Sequence, residues 1–329
     1  MIRKAFTTVG FAAAAALIVA SPVTGQDVER MPWGEPDISG YFTQSSIVPL
    51  ERPRDLGTQE FYTPEESAAR AEARLAPPEP DEEQERERGT TSDVHYDFDQ
   101  FGLSQYQNEV AENLRTSIIV DPPDGRMPEL VDAAIVRRDE RNAERRGHEF
   151  DGPENRSLTE RCIVWSSTLP PILPGGYNSN MQIFQSPGYV VIQSEMGDPR
   201  IVPTDGREHA AGDLQQWNGV SVGRWEGDTL VIESTNFHEE TAWRSASKNL
   251  KVTERLRRID DKTVEYGFTV EDPETWSAPW SGVYPLAAID GPLFEYACHE
   301  GNYGIANILA GQRAEEARLA AEGAGGQDD

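Results

Sequence analysis

His209, Glu195, Glu254, His299 and Tyr177 are the side chains of this chain best suited to pass a proton to or from a bound molecule. General acid/base work asks only for such a group, with a shifted pKa, within hydrogen-bond reach of the reacting atom. Around them Arg200, Arg244 and Arg258 offer cations to a polar ligand. Trp276 and Trp280, four residues apart, share one face of an extended strand, and either stack on a sugar or aromatic ring or seal the end of a core. The chemistry implied is that of a lyase, isomerase or hydrolase acting on an aromatic or carbohydrate-like compound; a non-catalytic ligand-binding protein is the alternative. No GxSxG is present, so a serine nucleophile is not indicated. His209 and His299 with Glu195 or Glu300 are acceptable ligand types, but no HxH or HExxH brings them together, and neither a metal nor an organic cofactor is expected.

Strands must position these groups. From Arg224 to Trp280 apolar and polar residues alternate at period two between turn-forming residues such as Glu226-Gly227-Asp228 and Asp260-Asp261-Lys262. Strands are expected near 161–166, 181–185, 189–195, 200–204, 220–225, 229–236, 250–260, 263–270, 276–286 and 293–298, with a further one over 116–120. Short connections make the hairpins mostly sequential, and so many antiparallel strands must close or stack to hide their edges. The fold class is therefore mainly β: a meander closed into a barrel like those of the lipocalin and calycin group, with a β-sandwich as the alternative. In the strand over 250–260, Val252, Glu254, Leu256 and Arg258 share one face and Lys251, Thr253, Arg255 and Arg257 the other. Either Glu254 and Arg258 point inward and must be paired, which builds a polar cavity, or the charges form an outward ladder of cross-strand ion pairs.

Few helices accompany the strands. Thr63-Pro64-Glu65-Glu66 begins a helix through about Leu75, and the pattern from Pro128 to about Arg146 gives a second with one narrow apolar stripe. A third runs from about Tyr303 to Ala321, ahead of a GAGGQDD tail read as disordered. Met31 to Gly40 is turn-rich and is read as a strap across the core, PPEPDEEQERERG at 77–89 as a solvated excursion, and DVHYDFDQFG at 93–102 as a surface loop pinned by its aromatics.

Arg3 and Lys4 precede an apolar run from Val9 to Ala20, and Val23-Thr24-Gly25 supplies small residues before Gln26, the layout of a cleavable signal peptide. The mature chain is thus expected in the periplasm or medium, without membrane insertion. The balance of 30 Lys+Arg against 57 Asp+Glu, a formal charge of −27, repels phosphate backbones and argues against nucleic acid as a partner. Cys162 and Cys298, an even pair without CxxC spacing, read as a disulfide tying the first core strand to the last; a reactive Cys298 beside His299 is geometrically poor, because adjacent strand residues face opposite ways. The segments are then 1–25 signal, 26–115 strap and acidic stretch, 116–322 barrel, and 323–329 tail.

The motifs PWGEPDISG, RTSIIVDPPDGR, YNSNMQIFQSPGYVVIQSEM, RIVPTDGREH, GRWEGDTLVIESTNF, VTERLRRID, FTVEDPETWSAPW and YACHEGNYGIANILAG resemble those of a family of exported bacterial proteins. The resemblance spans most of the chain after the signal. It implies export and one shared domain, and carries no assigned activity with it.

Overall fold

The computed structural model describes residues 28–75, 110–165, 168–175, 178–210 and 214–325. The expected signal peptide, the 77–89 and 93–102 segments and Tyr177 lie outside these residues. Ten strands form one antiparallel sheet: β1 Gly40–Thr43, β2 Ile119–Asp121, β3 Asn180–Ser186, β4 Tyr189–Ser194, β5 Arg200–Pro203, β6 Val220–Glu226, β7 Thr229–Thr235, β8 Lys251–Asp260, β9 Thr263–Glu271 and β10 Trp280–Ala288. Their order is β5-β4-β3-β1-β10-β9-β8-β7-β6, with β2 joined to β10 beside β1. The outermost strands, β5 and β6, come alongside one another. At this seam a Cβ added to Gly223 would lie 2.9 Å from Val202 Cγ1, so only a residue without a side chain lets the edges approach that closely. The sheet is a nearly closed barrel, as the alternation predicts. Three α-helices accompany it among the described residues: α1 Pro64–Leu75, α2 Asp132–Arg145 and α3 Gly304–Gly325. No helix among the described residues is long and apolar enough to cross a membrane.

Local chemistry accounts for most boundaries. Thr63 Oγ1 accepts from Glu66 N–H at 3.2 Å and Glu66 Oε2 accepts from Thr63 N–H at 2.8 Å, the reciprocal cap read in the sequence. Gly227, with φ of +62°, turns β6 into β7. Strand β10 starts at Trp280 rather than Trp276: Trp276 makes only an isolated bridge to Leu130, and Pro279 lacks the donor a ladder needs. Pro285 sits inside β10 where its neighbour changes from β2, last paired at Gly282, to β1, first paired at Ala287. A residue without an N–H costs nothing at that gap.

Three expectations are corrected. The strap is not merely laid across the core: its Gly40–Thr43 segment inserts as β1 between β3 and β10, interrupting the sequential meander. Four residues among Pro and Gly are too short to show a period. No strand forms at 161–165 or 293–298. Pro170, Pro171 and Pro174 spoil a ladder after the first, and Phe294, Glu295 and Tyr296 in the second are all exposed, so neither burial nor pairing would hold an extended strand. The Cys162–Cys298 disulfide does form, with Cα atoms 5.8 Å apart, but it joins two turns outside the barrel and so ties the α3 end of the chain to the segment after α2. Bonded Cys298 is no nucleophile.

Candidate functional site

Period-two alternation sends Phe42, Ile183, Ile192, Val202, Leu230, Ile232, Val252, Leu256, Val264 and Leu286 into the barrel, all at most 2% exposed. Glu254 goes with them, fully buried in the middle of β8. Its two carboxylate oxygens meet Arg200 of β5: Arg200 Nη2 donates to Oε1 at 2.8 Å and Nη1 to Oε2. Burial is the largest single influence and lowers the pKa of a guanidinium, but the Glu254 charge, its hydrogen bonds and Tyr266 together outweigh it and hold Arg200 above its ordinary value. The Tyr266 hydroxyl donates to Glu254 Oε1 at 2.8 Å and accepts the Ile172 N–H at 2.8 Å. The Tyr284 hydroxyl donates to Ile172 O at 3.1 Å. Burial raises both tyrosines well above their ordinary pKa, so both stay neutral donors. The buried run Thr168–Ile172 is thereby held against the barrel interior by both polar groups of one peptide residue.

Both readings of β8 are met in part. Glu254 points inward and is paired, whereas Arg255 reaches Glu226 at 3.0 Å, Arg257 reaches Glu265 at 2.9 Å and Lys251 reaches Glu233 at 3.3 Å along the outer face. Arg258 is not an interior cation. At the end of β8 it donates to Asp37 O and Ser39 O, each at 2.7 Å, and covers the Phe42 ring, so it fastens the N-terminal segment to the β8–β9 hairpin.

The remaining candidates do not converge. Glu195 follows β4 and is half-buried; burial raises its pKa, and the Asn180 N–H at 3.3 Å only partly offsets this. His209 places Nδ1 3.4 Å from Thr235 Oγ1 and leaves Nε2 buried without a partner among the described residues, and burial lowers its pKa against the smaller pull of Glu233. His299 is exposed in the segment beyond the disulfide. Trp276 and Trp280, 3% and 0% exposed, pack with Trp243: Trp243 and Trp280 lie 6.1 Å apart and nearly parallel, and Trp276 meets Trp280 edge-on at 5.9 Å. They seal this end of the core and present no open ring face to a ligand. Arg244, next to Trp243, is exposed. Among the described residues no group of three or more His, Cys, Asp and Glu is placed to hold a metal.

Sequence reasoning passed over Gln44. It continues β1 by donating its N–H to Ser179 O at 2.8 Å, and alternation puts it with Phe42 on the inner face. It is fully buried, and neither Oε1 nor Nε2 has a hydrogen-bond partner among the described residues. The signal lies in reading GYFTQ as a strand, which its length concealed. Tyr266 and Tyr284 were likewise missed, although each alternates inward on a strand the pattern identifies.

No family model, no curated protein and no solved structure matches this chain.

Proposed function

We propose that the protein is exported and binds a small molecule inside its barrel, with Gln44 as the polar contact. The observation that carries this reading is Gln44 itself: a fully buried primary amide whose donors and acceptor find no partner among the described residues. Leaving such a group unpaired costs about 1–3 kcal/mol per hydrogen bond forgone, a cost that a bound partner relieves. The complementary ligand has an acceptor beside a donor, as a carboxamide, lactam or carboxylic acid does, on an apolar or aromatic body that suits neighbours such as Phe42 and its cross-strand partner Met181. Export is supported by the disulfide, which persists in oxidising compartments.

Mass spectrometry of solvent extracts from the purified full-length protein tests the reading. One compound should accompany the wild type and be lost from Gln44→Leu, which keeps the apolar volume and the fold. Equal retention by both proteins, or an empty extract together with no melting-temperature shift across a carboxamide and carboxylic acid panel, refutes it. An acid/base enzyme is the second reading, and the raised pKa of Glu195 favours it. It requires turnover that Glu195→Gln abolishes without loss of ligand affinity.

A further inference from the structure

In the loop between β7 and β8 the short run 242–245 adopts positive φ at three non-glycine residues, Ala242 (35°), Arg244 (50°) and Ser245 (71°). Each is an uncommon conformation that persists only where the surroundings over-determine it. Here they do. Asp272, 3% exposed, accepts from Ser247 N–H at 2.6 Å, Ser247 Oγ at 3.0 Å and Thr275 Oγ1 at 2.6 Å. Trp243, Ala246 and Leu250 of the same loop are buried in the core.

The result of this arrangement is to stand the Arg244 guanidinium 5.5 Å from the centre of the Trp243 ring. Arg244 has no hydrogen bond or ion pair among the described residues, whereas Arg200, Arg224, Arg255, Arg257 and Arg258 on the barrel strands are all engaged. Other donors nearby are idle too. Arg137 of α2 reaches Thr275 Oγ1 at 3.1 Å with Nη2, yet its Nε is buried and unpartnered. Trp280, stacked on Trp243, keeps a buried and unpartnered Nε1–H. The Glu51 carboxylate acts on Arg244 by its charge but is itself engaged by Arg126 at 3.7 Å and by the Met127 N–H at 2.9 Å, so the exposed guanidinium keeps its donors for another acceptor.

We infer that the Trp243–Arg244 loop is a binding site for the oxyanion of a small molecule, a carboxylate or a phosphate, held by the planar fork of Arg244. The fork takes two oxygens of such a group in parallel, and a charge-assisted pair of this kind is stronger than neutral hydrogen bonds. The site does not rest on the barrel-interior reading, because it uses none of the same residues.

Calorimetric titration of the full-length protein at low ionic strength, with benzoate in one arm and inorganic phosphate in the other, tests the inference. At least one anion should bind with a stoichiometry of about one, the two arms separating carboxylate from phosphate recognition. Arg244→Gln should weaken that binding about tenfold or more, Arg244→Lys by less, and Arg255→Gln on the outer face of β8 not at all, with circular dichroism confirming each fold. The inference is overturned by absence of binding in both arms, or by equal affinity in wild type and Arg244→Gln.

Discussion

Arg200 and Glu254, 54 residues apart in sequence, meet across the barrel interior with two guanidinium nitrogens on two carboxylate oxygens, at 6% and 0% side-chain exposure. A pair buried this deeply contributes little net stability relative to apolar residues, because desolvation offsets the attraction, but breaking it strands a charge.

Glu254→Gln is therefore expected to lower unfolding stability by about 3–5 kcal/mol, and Arg200→Met with Glu254→Leu together by much less than the sum of the single changes. Urea denaturation of Arg200→Met, Glu254→Leu and the double variant closes the cycle. Additive losses would show that the two groups are not coupled.

Tyr266→Phe removes one partner from Glu254 and the acceptor that the Ile172 N–H finds among the described residues, so a cost of about 1–3 kcal/mol is expected. It should also speed exchange of the Ile172 amide proton. Tyr284→Phe, which loses a bond to the Ile172 carbonyl, should cost about 1 kcal/mol and affect that proton less. Identical exchange in both variants would contradict the assigned donors and acceptors.

Burial raises the pKa of Glu195 in the folded chain above its ordinary 4.5. The folded state then binds the proton more tightly than the unfolded one, so the contribution is fully present below 4.5 and is lost as pH rises through the folded value. Glu195→Gln should accordingly melt at a higher temperature than wild type at pH 7, with the difference vanishing at low pH. His209 runs the other way: burial lowers it from 6.5, so its contribution is complete above 6.5 and is lost as pH falls toward the folded value. A constant melting difference between Glu195→Gln and wild type from pH 4 to 8 would remove the buried-carboxyl account.

Closure of the barrel can be tested at Gly223. An alanine there places a methyl carbon 2.9 Å from Val202 Cγ1 and 3.1 Å from Thr204 Cγ2, and overpacking of this order costs about 1–3 kcal/mol. Reversing it with Val202→Ala in the same chain should recover part of the loss. If Gly223→Ala is neutral in thermal melts, β5 and β6 do not meet.

From sequence alone follow the local periodicities and what they entail. Alternation identifies β3 through β9 and puts Val252, Glu254 and Leu256 on one face, because side-chain direction in a strand depends only on parity. The Thr63–Glu66 cap and the turn at Gly227 are equally local. The tertiary structure decided what parity cannot see. Whether Glu254 is a reactive acid or a paired core charge depends on Arg200, which no spacing rule links to it; Trp276 and Trp280 became a seal because Trp243 arrived from another loop. Gln44 and Ile172 acquired their significance only when a four-residue strand entered between β3 and β10 and a proline-rich run settled under two tyrosine hydroxyls. Contacts of that range are set by burying the whole apolar inventory in one closed sheet, a condition on the entire chain that no single window of it contains.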